Sequence, residues 1–387
     1  MAKLSFPVGP QHPALKEPEN LRFTVDGELV VDADIRIGYV HRSIERSCSE
    51  RNYVQDMYLC ERVCGICSNA HTLCYAHACE TLADVEVPER AQYIRMLMHE
   101  FERIHSHMLW LGVAGHEIGF ETLFMYVWRD REIIQDILEM VSGSRGHYAM
   151  TTLGGVRYDI TPEMADRIRE GMMALRQRSE RYADIATTEA TFLKRTSDVG
   201  VVSGEVCRNL GAVGPVLRAS GVAWDIRTAF PYLKYDTVAW QVRTSELCDV
   251  LGRTLVRVLE VIDACDICLQ VLDIMPEGDI QARFPRKVPE GEVTARVEAQ
   301  RGEVIYYIRS DGSDVPARVK IRTPTLANLP VSLEMVRGGQ VADIPIAFAS
   351  IDPCFSCTDR MVVLDDARTG DRRQMTWPEL VKLGRER

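Results

Sequence analysis

Three pairs of cysteines recur at the spacing Cys-x-x-Cys: Cys64 and Cys67 in "RVCGIC", Cys265 and Cys268 in "DACDIC", and Cys354 and Cys357 in "DPCFSC". Thiolates at that spacing hold soft metals, whereas thiols buried in an apolar helix behave as small hydrophobes. Cys265 and Cys268 fall in an apolar stripe where i and i+3 share a helix face, so they read as structural. Cys64 follows Arg62 and precedes Gly65: the cation favours thiolate and the glycine permits close backbone approach. Cys354 follows Asp352 and Pro353, which read as an N-cap and a first helical residue and would place the thiol at the positive end of a helix. Together the two outer pairs offer four thiolates, a set suited to zinc, iron–sulfur clusters, nickel or copper(I). Structural zinc sites usually draw both pairs from neighbouring turns, yet more than 280 residues separate Cys67 from Cys354. Spacing leaves zinc and a redox metal open, and either would close the fold on itself. Cys60, Cys74 and Cys79 read as helix-face cysteines pointing elsewhere.

The rival constellations are thinner. Glu102 and His105 make a Glu-x-x-His step of the kind di-iron bundles use in pairs. None of the nine histidines supplies a second, so His99, His105 and His107 read as ordinary helix-face residues. No P-loop, G-x-G-x-x-G or G-x-S-x-G motif supports nucleotide binding or a serine nucleophile.

The elements that must position these residues follow from periodicity. "LRFTVDGELVVDADIRIGYVH" reads as two strands joined at Asp26-Gly27, with alternation through Val31, Ala33, Ile35 and Ile37. From about Ile44 the pattern turns helical. Cys60 to Leu82 is helical in composition, and Pro88 opens a long helix with Ile94, Leu97, Phe101, Ile104, Met108 and Leu111 as its core stripe. Thr161 and Pro162 read as cap and first-turn residue of another, and "YDTVAWQVRTSELCDVLGRTLVRVLEVIDACDICLQVL" as a further long helix. Alternation returns between about 290 and 322, with a turn at Asp311-Gly312-Ser313. "MTWPELVKLGRER" closes the chain as a short amphipathic helix on Leu380 and Leu383. The fold class is therefore α+β: a central bundle of long helices, an N-terminal β-hairpin and a second small sheet near the C-terminus, in one unit.

A chain of 387 residues with 46% hydrophobic residues buries a sizeable core without disulfides. Its twelve cysteines follow no secretory framework, and "MAKLSFPVGPQHP" lacks the build of a signal peptide, so a reducing cytoplasm is expected. The longest apolar stretches, such as 108–114, fall well short of the roughly 18 residues of a membrane span. A formal net charge of −10 argues against nucleic acid. The basic cluster of Arg368, Arg372, Arg373, Lys382, Arg385 and Arg387 reads as a solvated end.

With these residues set out, R-x-C-G-x-C early and D-P-C-x-x-C late resemble the two cysteine motifs of nickel–iron hydrogenase large subunits. The resemblance spans nearly the whole chain. "GPQHP", "GYVHRSIER", "VEAQRGE", "SDGSDVPARVKIRTP" and "DPCFSCTDR" are similar to the energy-converting, membrane-associated hydrogenases, themselves similar to the 49 kDa quinone-site subunit of respiratory complex I. That subunit has lost the metal-binding cysteines, whereas this sequence keeps all four; "GPQHPALKEP" also departs from its quinone-loop pattern at Leu15 and Lys16. The resemblance implies that Cys64 and Cys354 are terminal nickel ligands, while Cys67 and Cys357 bridge nickel to an iron carrying CO and cyanide. It implies heterolytic H2 cleavage assisted by Cys354 or a nearby guanidinium, with Glu45 as first proton relay and Arg322 overhanging the site. Asp352 is left as a cap.

The partners implied are an iron–sulfur small subunit, further hydrophilic subunits, integral membrane subunits that translocate ions, and ferredoxin or a formate-oxidising module, on the cytoplasmic face. A further Mg or Fe ion is in doubt, because Thr358, Asp359 and Arg360 stand where other groups of the family carry a metal-binding His. The expected regions are 1–43 (β), 44–285 (helical bundle), 286–325 (small β region), 326–368 (metal-binding) and 369–387, a tail that is cleaved or retained after "VVLDDAR". Two other functions compete: a structural zinc-binding connector and a quinone-site subunit in a complex I-like assembly.

Overall fold

The computed structural model describes residues 3–358, 362–365, 372–375 and 377–385. Strands β1 (Leu4–Val8), β2 (Asn20–Asp26) and β3 (Leu29–Arg36) form an antiparallel sheet in that order. The expected hairpin is there, with Asp26 opposite Leu29 across Gly27 and Glu28. Its inward stripe differs by one residue at one point. A bulge between Thr24 and Val25 slips the register, so Val30 and not Val31 takes the buried place before Ala33.

Helices α1 (Ile44–Cys48), α2 (Tyr53–Glu61) and α3 (Ser68–Ala83) follow. A reciprocal cap between Asn52 and Gln55 starts α2. The stretch from Cys60 to Leu82, helical in composition, is helical in the structure except at residues 62–67. There the Cys64 thiol accepts from the N–H groups of Ile66 (3.4 Å) and Cys67 (3.1 Å), a local bonding pattern that competes with the helical ladder. Cys67 then stands as the N-cap residue of α3.

The bundle is built on α4 (Glu89–Glu117), α5 (Glu121–Ser142), a two-residue β pair (β4, Thr151–Thr152; β5, Gly155–Val156), and α6 (Pro162–Thr188), capped by Thr161 as expected. Four short helices, α7 (Ala190–Thr196), α8 (Gly204–Asn209), α9 (Pro215–Arg218) and α10 (Ile226–Ala229), lead to α11 (Val250–Ile274). The last long helix thus starts later than its apolar pattern suggested. Asp249 caps it through Gly252 N, while the preceding chain lies along α11, exchanging bonds between Ala239 and Gln270 and pairing Arg243 with Asp263.

Strands β6 (Gly291–Ala299), β7 (Gly302–Ser310) and β8 (Arg318–Arg322) make the second antiparallel sheet, with an Asx turn from Asp311 to Ser313 before β8. Then come α12 (Pro324–Val336), α13 (Ile344–Ala349), β9 (Val362–Asp365), β10 (Arg372–Met375) and α14 (Trp377–Arg385), the short closing helix, where Leu383 is exposed. The end of the expected cleavage stretch, residues 366–368, lies outside the described residues. Two cores result. The larger joins the long helices, the second sheet and the four candidate cysteines; the smaller joins the N-terminal sheet to α12 and α13. Among the described residues, no helix is long and apolar enough to cross a membrane.

Candidate metal centre

The loop between α2 and α3 meets the loop after α13. Cys64 and Cys354 stand 290 positions apart in sequence with their sulfurs 3.2 Å apart. Cys357 Sγ donates to Cys354 O at 3.0 Å and also bonds the Cys354 and Cys64 thiols. All four cysteines are at most 4% exposed. Cys354 is fixed from both sides, its N–H donating to Thr325 Oγ1 (3.2 Å) and its Sγ lying 3.3 Å from Ser356 Oγ, while Thr323 Oγ1 donates to Cys357 O (3.0 Å).

The fourth cysteine is held by a residue that sequence reasoning missed. Arg301, buried in the two-residue turn between β6 and β7, donates to Cys67 Sγ (2.9 Å), Ser106 Oγ (3.2 Å), Asp352 O (2.6 Å) and Asp352 Oδ1 (2.8 Å). Burial opposes its charge, but Asp352 and the Cys67, Cys64 and Cys354 thiols outweigh burial and strengthen the guanidinium's hold on its proton. Asp352 is therefore no cap. Its backbone is left-handed (φ 56°) and its carboxylate is the partner of Arg301, so Cys354 precedes only a three-residue 3₁₀ turn, Phe355–Cys357. The signal was present in "VEAQRGE", an arginine at the turn of a strand pair.

The chemistry of this donor set fits a soft divalent metal. The hydrogen bond from Cys357 and the Arg301 charge lower the Cys354 pKa, but the Cys64 thiol and burial carry it up to about 12, so the thiol holds its proton beside the guanidinium alone. A metal held by these thiols would supply further positive charge and would displace the protons. Among the described residues, no group of three or more His, Cys, Asp or Glu side chains is arranged to hold a metal ion; Cys64, Cys354 and Cys357 hydrogen-bond one another instead. A cavity of about 690 Å³ lined by Tyr53, Tyr58, Arg157 and Phe284 contains none of the four cysteines.

The other nominated residues are placed as follows. Glu45, at the start of α1, accepts from Lys320 Nζ (2.8 Å) and Ile321 N (2.9 Å) on β8. Arg322 donates to the Glu303 carbonyl (2.9 Å) and pairs with the Glu303 carboxylate. A carboxylate that sequence reasoning passed over, Glu17, lies on the Cys354–Cys357 loop: its Oε2 accepts from Ser356 N (2.8 Å), and it bonds the Ser356 side chain. Burial and then the proximity of Cys354 raise its pKa. Cys265 and Cys268 are buried in α11, and Cys60, Cys74 and Cys79 are buried on α2 and α3. His99 and His107 are occupied by Glu298 O and Glu260.

The family description "Nickel-dependent hydrogenase" matches residues 42–112, and "Respiratory-chain NADH dehydrogenase, 49 Kd subunit" matches 117–288 and 282–360. The membrane-bound hydrogenase subunit alpha of Pyrococcus furiosus is 41% identical over 99% of this chain and 93% of that protein. A subunit of the NADH-quinone oxidoreductase of Dehalococcoides mccartyi is 38% identical over 91% of this chain and 97% of that protein. Among solved structures, a chain of the membrane-bound sulfane sulfur reductase, an archaeal respiratory membrane complex, superposes with a TM-score of 0.87 at 31% identity, covering 93% of this chain and 98% of that one. With a fold shared across its length and relatives on both sides, the chain belongs to the family that unites the large subunits of membrane-associated nickel–iron hydrogenases with the 49 kDa subunit of respiratory NADH dehydrogenase.

Proposed function

We propose that this chain is the catalytic large subunit of an energy-converting nickel–iron hydrogenase, interconverting H2 with protons and electrons. The observation that supports it most is the meeting of Cys64 and Cys354 at 3.2 Å across 290 residues, both buried, with Cys67 and Cys357 on the same two loops. Cys64, Cys67, Cys354 and Cys357 would hold nickel and iron, the iron carrying CO and cyanide. When bound, that centre supplies an open coordination position and the redox chemistry for H2.

The chain's own residues do the rest. Arg301 places a buried positive charge on Cys67 Sγ, the task that the resemblance gave to Arg322. A proton at Cys354 Sγ has a path through Ser356 Oγ, 3.3 Å away, to the Glu17 carboxylate. Glu45, the relay expected from the resemblance, competes with Glu17 for this part. Electrons leave through a partner subunit with iron–sulfur clusters, and membrane subunits couple the reaction to ion movement at the cytoplasmic face. The names of the relatives support such a membrane assembly; the electron partner on this reading is ferredoxin or a formate-oxidising module.

A second reading, a quinone-site or zinc-holding subunit without hydrogenase activity, is favoured by the 49 kDa subunit match over the larger part of the chain. Elemental analysis of the purified complex separates the two. One nickel per complex, with iron in excess because the partner's clusters also carry it, and infrared bands from CO and cyanide are expected; stoichiometric zinc with neither nickel nor those bands, or quinone-dependent electron transfer that survives Cys64→Ala, would sink the hydrogenase reading. For the relay, Glu17→Gln is expected to abolish H2 turnover with nickel intact, whereas Glu45→Gln is expected to retain most of it; the reverse pattern assigns the relay to Glu45.

A further inference from the structure

Glu102 was set aside in the sequence as half of an incomplete di-iron motif, yet its surroundings are unusual. It is fully buried on α4 and accepts four hydrogen bonds, from Asn69 N (2.5 Å), Ala70 N (2.9 Å), Ser68 Oγ (3.3 Å) and Gln300 Nε2 (2.9 Å). The first three belong to the opening turn of α3, directly after Cys67. The fourth belongs to the residue before Arg301, whose guanidinium touches Cys67 Sγ. One turn further along α4, Ser106 bonds that same guanidinium.

We infer that Glu102 is a positioning residue for the thiol centre: it clamps the start of α3 and the β6–β7 turn onto one face of α4, setting Cys67 and Arg301 relative to each other. A carboxylate suits this place because it accepts on both oxygens and favours the positive end of the helix it caps. Glutamine has the same shape but turns one acceptor into a donor that faces the Ala70 N–H. Gln300 can adapt by rotating its amide, since its Oε1 is unpartnered and buried; the helix N–H cannot. The di-iron pattern therefore failed for a physical reason, as the carboxylate was already committed to backbone.

The metal part of the test deepens the nickel-centre reading and rests on it; the amide part does not. Glu102→Gln is compared with Glu80→Gln, which disturbs the far end of the same helix, where Glu80 pairs with Arg95 (2.6 Å) and accepts from Gly154 N (2.7 Å). In the isolated chain, hydrogen exchange at the Asn69 and Ala70 amides is expected to rise about tenfold in Glu102→Gln and to stay at the parent rate in Glu80→Gln. In the assembled complex, the CO and cyanide stretching bands are expected to shift in Glu102→Gln alone. Parent-like exchange and bands in Glu102→Gln, or equal changes in both variants, overturn the assignment. If Glu102→Gln does not fold, Glu102→Asp, which keeps the charge but shortens the reach, is expected to show intermediate exchange; a parent rate there overturns it equally. A parent complex without nickel refutes the hydrogenase reading while the amide comparison still decides the role of Glu102.

Discussion

At the scale of single residues, the decisive contact is a charge buried beside thiols. Arg301 and Asp352 are almost fully buried and joined at 2.8 Å. Removing one member of such a pair strands the other, which costs about 3–5 kcal/mol, whereas removing both costs much less. Arg301→Met is therefore expected to lower the thermal unfolding midpoint sharply, and Arg301→Met with Asp352→Asn to recover most of the loss. Equal midpoints for the single and double variants would show that the pair contributes little. This residue also marks where sequence reading stops. The two outer cysteine pairs could be singled out, and the structure brings their loops together, because Cys-x-x-Cys outside an apolar helical stripe points to thiolate chemistry. The Asp352–Pro353 step looked like a cap because local pattern predicts local partners, and the true partner of Asp352 is 51 positions away. Glu17 was missed for the same reason, since its neighbour Ser356 is 339 positions away.

At the scale of elements, the long helices and both sheets were legible because burial imposes its period on the sequence, while breaks within them were not. The α2–α3 break depends on a thiol taking two backbone donors, and the late start of α11 on a cap at Asp249; neither interrupts the apolar pattern. Between α2 and α3 sits another buried acid. Asp56 on α2 accepts from Tyr75 OH on α3 (3.4 Å), and burial raises its pKa from 3.8 to about 8, against the opposing effects of Tyr75, Cys48 and Arg51. As pH rises, the unfolded chain loses this proton first, so the folded state binds more protons in the window between about 4 and about 8. The contribution of Asp56 is full below that window, falls through it and is gone above it. Asp56→Asn cannot titrate. The parent is thus expected to lose stability relative to this variant from pH 5 to pH 8, by up to about 1.4 kcal/mol per pH unit. Unfolding midpoints of both proteins across that range check the slope, and a constant difference would refute it.

At the scale of the whole molecule, the centre exists only when distant parts of the chain meet, and joining ends about 290 residues apart costs about 5 kcal/mol of chain entropy plus a constant. The two cores offset part of it, and the larger of them contains all four cysteines. Arg42 bridges the two cysteine loops directly, donating to Arg62 O (2.6 Å) and Val63 O (2.9 Å) beside Cys64 and to Ser356 O (3.0 Å) between Cys354 and Cys357. A forked guanidinium can hold three carbonyls on two loops; an ammonium is a point charge that cannot span them in the same way. Because Arg42 lies at the surface and leaves no buried charge behind, Arg42→Ala is expected to cost only about 1–2 kcal/mol of overall stability. Its effect on the centre should be larger in kind. The Cys64 thiol of the metal-free chain is expected to react faster with iodoacetamide, and the loaded complex to lose nickel faster to a chelator, with Arg42→Lys recovering only part of each. Unchanged alkylation and metal-loss rates in Arg42→Ala would mean that the cores alone hold the two loops together.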